Sequence, residues 1–194
     1  MENFLFYIEL GLNHVLDFAA YDHILFLTAL SLPFTFKSWK KILVLATVFT
    51  ITHCLSLALS VYGMVVMDVG LIEFLIPVTI LLTAIFDLLY VKSTSKEKSL
   101  LLHLIATAFF GLIHGFGFSN YFKMLMSGEE EKLSPLLGFA AGIELSQILI
   151  VLLVLALAYV LQSIFKIKQE HFIKIISILI ILITIPMLVD TFPW

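Results

Sequence analysis

His14, Asp22, His23, His53, His114 and Glu144 are ionisable side chains set in apolar surroundings, where such groups are costly unless they have a use. Imidazole nitrogen and carboxylate oxygen are the ligands of borderline divalent metals: zinc, nickel, cobalt and iron. Histidine binds in its neutral form and carboxylate in its ionised form, and a dication supplies the charge that makes burying an acid tolerable. The single Cys54 lies inside an apolar run, so copper(I) or an iron–sulfur cluster is not expected and the redox compartment stays open. Polar neighbours stand one helical turn from three of these residues, where they could orient ligands by hydrogen bonding: Asp17 after His14, Ser56 after His53, Gln147 after Glu144. Each member also has a plain structural role. His53 could bond between helices, Glu73 could be solvated among headgroups, and Asp22 is a good helix N-cap. Only their joint depth in the chain's helices argues for a site.

That depth follows from the elements that carry them. The chain has 194 residues, 61% hydrophobic and 13% charged, with a mean hydropathy of +1.12, more apolar surface than a soluble domain of this length can cover. Three clusters, Lys37, Lys40, Lys41, then Lys92, Lys96, Lys98, then Lys166, Lys168, Lys174, hold nine of its eleven basic residues. Lysine-rich short loops mark the cytoplasmic ends of membrane helices. The alternate loops, around Asp68 and around Glu129, Glu130 and Glu131, are poor in lysine or outweighed by acid. With no Arg there is neither a guanidinium fork for phosphate nor a basic stripe for nucleic acid. The expected fold is an all-α polytopic bundle, residues 1–194 as one integral membrane domain. Residues 3–18 form an interfacial or re-entrant helix on the outer side, not a cleaved signal peptide. Spans follow over about 19–36, 40–62, 70–91, 99–121, 135–165 and 171–190. Both termini are then extracytoplasmic, in a bacterial-type inner membrane, with Trp194, Tyr62 and Tyr121 at interfaces.

A rise of about 1.5 Å per residue places His53 about 14 Å, His114 about 11 Å, Glu144 about 14 Å and Glu73 about 5 Å below the outer ends of their helices. His14, Asp17, Asp22 and His23 lie near the outer end of the first span. Asp87 and His103 lie toward the inner ends, as an exit path. Gly111, Gly115 and Gly117 around His114, with Gly138 and Gly142 before Glu144, are expected to let the fourth and fifth spans approach closely. A histidine-then-glutamate echo, His53 with Glu73 and His114 with Glu144, suggests a duplicated hairpin. Three functions fit: a permease for a divalent metal, a membrane metallohydrolase with Glu144 or Glu73 as general base, and a structural core. Against transport stand a cluster displaced outward and the lack of a strong broken-helix signature.

The chain resembles the hydrogenase/urease accessory membrane proteins, the HupE/UreJ family. The stretches that carry the resemblance are Gly11-Leu12-Asn13-His14 with Tyr21-Asp22-His23-Ile24-Leu25-Phe26-Leu27, Thr52-His53-Cys54-Leu55-Ser56-Leu57, Glu73, Gly111-Leu112-Ile113-His114-Gly115-Phe116-Gly117-Phe118, and Gly138-Phe139 through Gly142-Ile143-Glu144 to Gln147. The resemblance implies a polytopic permease for nickel or cobalt. It assigns His14, Asp22 and His23 to the family's first metal-binding motif, and implies metalloenzyme-maturation proteins as partners. It favours the permease over the hydrolase, with nickel, cobalt or zinc as the bound ion and the lipid bilayer as surroundings.

Overall fold

The computed structural model describes residues 2–91, 96–128 and 131–193, without the side chains of 2, 3 and 96–99. Lys92, Glu129, Glu130 and Trp194 lie outside the described residues, as do the side chains of Lys96 and Lys98. Among the described residues there is no strand. The α-helices are α1 (Glu2–Leu16), α2 (Asp22–Ser31), α3 (Trp39–Val61), α4 (Val69–Tyr90), α5 (Lys96–Leu125), α6 (Leu133–Ser163) and α7 (Gln169–Asp190), with a one-turn 3-10 helix at Phe36–Ser38. The segments Phe36–Val61, Val69–Tyr90, Leu100–Leu125, Leu133–Ser163 and Gln169–Asp190 are long and apolar enough to cross a membrane.

The described lysines of the three clusters fall at helix ends and in the loops between them, at one end of the bundle. There the Gln169 amide donates to Leu32 O at 2.7 Å and the Gln162 amide bonds to Gln169. At the opposite end Lys132 lies over the Tyr62 ring at 5.5 Å and Phe74 meets Phe192 at 5.3 Å. Local chemistry sets these ends. Gly63, at φ 71°, turns the chain out of α3 while Met64 N–H reaches back to Leu59 O. Asp68 caps α4 by accepting from Leu71 N–H at 2.8 Å.

The expected first span is the main correction. Over 19–36 the structure has a 10-residue helix, α2, about 15 Å long and too short to cross. Residues 17–21 leave the helix without any Gly or Pro. Instead, the Asp17 carboxylate accepts from Ala19 N–H at 2.8 Å, a local turn that competes with helical bonding. Pro33 closes the other end. Nor does α1 lie flat or fold back. It runs beside α6 in the same direction, with Phe4 at Gly138 and Ile8 at Gly142. From its end, α2 continues the same way, reaching Gln169 at the lysine-rich end.

Glycines make two close crossings, but not between the expected partners. The fourth and fifth spans, α5 and α6, are not paired along their lengths; α5 packs on α3 and α6 on α1. A Cβ on Gly115 would fall 2.2 Å from His53 O, and one on Gly142 would fall 2.2 Å from Ile8 O. The first crossing brings His53 beside His114. The second lays α1 along α6 and carries His14 inward to meet them.

Candidate metal centre

The break between α1 and α2 places His14 on the last turn of α1 and Asp22-His23 on the first turn of α2. Carboxylate Oδ1 of Asp22 accepts from His23 N–H at 2.9 Å and from ring Nδ1 at 3.1 Å. A carboxylate only accepts, so the ring proton sits on Nδ1 and the Nε2 lone pair is free. His114 is fixed in the same way: Phe110 O, one turn earlier, accepts from its Nδ1 at 2.9 Å. Both bonds prepare neutral imidazoles that present Nε2, the arrangement in which protein groups hold metal-binding histidines.

The four rings converge. His14, His23 and His53 form a closed triangle with centroids 4.6, 5.6 and 5.8 Å apart, and His114 joins through His23 at 5.1 Å. His23, His53 and His114 are 3%, 0% and 1% exposed, so water does not satisfy them. Nε2 of His14, His23 and His114 and both nitrogens of His53 have no hydrogen-bond partner, which is expensive for buried polar atoms. A metal about 2.1 Å from each nitrogen would stand about 3.2 Å from each ring centre, and tetrahedral rings would then lie about 5.2 Å apart. The four spacings given above bracket that value, while His114 is not in ring contact with His14 or His53. As the rings stand, no three His, Cys, Asp or Glu side chains among the described residues are arranged to hold an ion, so coordination requires the rings to turn. Nothing polar restrains His53 from turning.

An aromatic wall encloses the imidazoles. Phe118 lies 4.0 Å from His14 and is parallel to Phe139, while Phe49 contacts His53 and His114 at 5.6 and 5.4 Å and stacks on Phe26. Phe26, Phe49 and Phe139 are fully buried. Such a shell excludes water and strengthens the hold on a charge. On the side facing away from the lysine-rich end, an open pocket of about 240 Å³ runs from solvent to Asp22. Ala19, Glu73, Pro77 and Met187 are among its lining residues. Pro77, inside α4, has no N–H to give to the carbonyl of Glu73 one turn before it.

Other residues singled out in the sequence go elsewhere. Glu144 bonds to no imidazole: its oxygens accept from Thr47 at 2.6 Å and Thr50 at 2.5 Å, on the side of α3 that carries Cys54. Ser56 donates to His53 O at 2.8 Å, tying the helix rather than the ring. Asp17 and Glu73 are exposed. Gln147 is fully buried with neither side-chain atom partnered. Asp87 and His103 are buried in the lysine-rich half, His103 between Phe34 and Phe86. His114 lies within about 2 Å of the middle of its span, deeper than expected because α5 runs on to Leu125, and His53 lies within about 7 Å of the middle of its own, near the expected depth.

The family model described as HupE / UreJ protein matches residues 1–191. The chain belongs to the HupE/UreJ family. Comparison with curated proteins and with solved structures returned no match. Of the stretches that carried the resemblance in this HupE/UreJ chain, those with His14, Asp22-His23, His53 and His114 meet, whereas Glu73 and Glu144 stand apart from the rings. Sequence reasoning passed over Thr47 and Thr50, and over Phe26 and Phe49 as walls. The available signal was spacing: Phe26 follows His23 by one turn and Phe49 precedes His53 by one, on the same helix faces.

Proposed function

We propose that this protein is a permease for a divalent transition metal, which His14, His23, His53 and His114 bind as cargo. Nickel or cobalt is the ion to which family membership points. The observation that carries the reading is the set of buried Nε2 atoms without partners, two of them fixed as metal-ready tautomers by Asp22 and Phe110 O. The break at 17–21 supports transport over a closed structural site. Together α1 and α2 make one inward crossing, interrupted at the histidines, and transporters build ion sites at such interrupted helices. The C-terminal end of α1 also turns its partial negative charge toward the site, which favours a cation.

The clustered lysines support a reading in which the lysine-rich end is cytoplasmic, with six crossings of a bacterial-type inner membrane and both termini outside. The pocket with Asp22 and Glu73 then faces outward, and its carboxylates attract the dication before the imidazoles strip its water. Hydrolase chemistry would need a carboxylate beside the imidazoles to act as general base. Glu144 is bonded to two threonines, Glu73 is at the exposed rim, and Asp22 is taken up by the N–H and ring Nδ1 of His23, so none of the three supports that reading.

Metal analysis of the purified protein tests the site. Wild type should retain nickel or cobalt at about one ion per chain, and His23→Ala and His53→Ala should each lose about tenfold or more in affinity. Equal retention by all three, or none under saturating supply, would end the proposal. Nickel uptake into proteoliposomes then tests carriage.

A further inference from the structure

Asp87 is the one carboxylate among the described residues that is buried, at 3% exposed, and neither of its oxygens has a hydrogen-bond partner. A dry, unbonded acid costs stability, and inside a membrane it is kept for a use. Lys174, the nearest lysine on α7, is bonded to Glu170 at 2.6 Å. Asp87 stands three residues from the end of α4 at the lysine-rich end, on the far side of the bundle's middle from the imidazoles.

Across the seam, α7 runs antiparallel to α4. Phe74 meets Phe192, and Glu73 and Pro77 share a pocket with Thr191 and Met187. Carried along both helices, that register sets Asp87 opposite the stretch containing Ser177. Ser177 is fully buried, and its hydroxyl also has no partner. Between the two sites, α5 presents one buried stripe, His114, Phe110, Thr107 and His103. Thr107 is another buried hydroxyl without a bond, and one turn on Phe110 meets Phe26 edge to face at 5.3 Å.

We infer that Asp87, with Ser177 across the α4–α7 seam, forms a second cation site, where the dication rests after leaving the imidazoles and before it exits at the lysine-rich end. This rests on the permease reading. The chemistry of the two sites differs in the useful direction. Four nitrogen donors suit a borderline metal, whereas one carboxylate and a hydroxyl hold it weakly and let it return to water.

The test uses the full chain with Ni²⁺ as probe: Asp87→Asn, Asp87→Leu and Ser177→Ala, each assayed for retained metal in detergent, thermal unfolding and uptake into proteoliposomes. Expected is wild-type metal retention in all three. Uptake should fall by about tenfold or more in both Asp87 variants and by less in Ser177→Ala. Asp87→Leu should melt at or above the wild-type temperature, because it replaces an unbonded acid with an apolar side chain that branches in the same way. Undiminished uptake by Asp87→Asn overturns the inference alone. So does Asp87→Leu melting well below wild type with its metal lost, which would make Asp87 structural. Wild type that binds Ni²⁺ but never carries it overturns the permease reading, and the inference with it.

Discussion

Asp22 decides which nitrogen of His23 faces the cluster. Asp22→Asn keeps the shape but offers an amide that can donate or accept, so the ring is no longer held to one tautomer. Nickel affinity should fall by about 10- to 100-fold with the fold unchanged, as read by competition against a chelating dye and by circular dichroism. Glu144 is a contrasting acid. Thr50→Val removes one of its two donors and should cost about 1–3 kcal/mol of stability while metal retention holds, as seen by thermal unfolding beside metal analysis. Retention lost in step with stability would instead draw Glu144 into the site. The histidines were legible because an imidazole in an apolar helix has few ordinary reasons to be there. The partners of Glu144 were not, because threonine is common in membrane helices and bonds to its own backbone, as Thr52 does to Val48 O.

At the scale of elements, the two glycine crossings bear on the site unequally. Gly115→Ala would drive a methyl into His53 O, a backbone atom that cannot step aside. It should cost about 1–3 kcal/mol or more and weaken metal binding by spreading His53 from His114; unfolding and nickel titration report the two effects separately. If binding stays at wild-type strength while stability falls, the α3–α5 crossing does not set the ring spacing. The helices themselves were readable from apolar length and lysine placement, with α3, α4, α6 and α7 within two residues of expectation. The interrupted segment was not. A break usually announces itself by glycine or proline, and here one aspartate bonding to its own backbone makes it in a stretch of Phe18, Ala19 and Ala20. Which helices pair was equally hidden, since a glycine stripe says that something comes close and not what.

For the whole molecule, the charge pattern sets an orientation that can be measured. On a Cys54→Ala background, Ser127→Cys should react with a membrane-impermeant thiol reagent in intact cells, and Ser38→Cys only after permeabilisation. The reverse pattern would invert the direction of carriage. One consequence concerns α1. Its one extensive partner is α6, while Tyr7 and His14 reach Phe122 and Phe118 of α5 by ring contacts alone. His14 travels with it. Swinging α1 outward about 17–21 would withdraw His14 from the other three imidazoles and, on the permease reading, leave the ion with one donor fewer. Ligand exchange at a borderline dication is slow from a full sphere and fast from an open one. The residence time of the cargo would then depend on how tightly α1 clings to α6 as well as on the metal–nitrogen bonds.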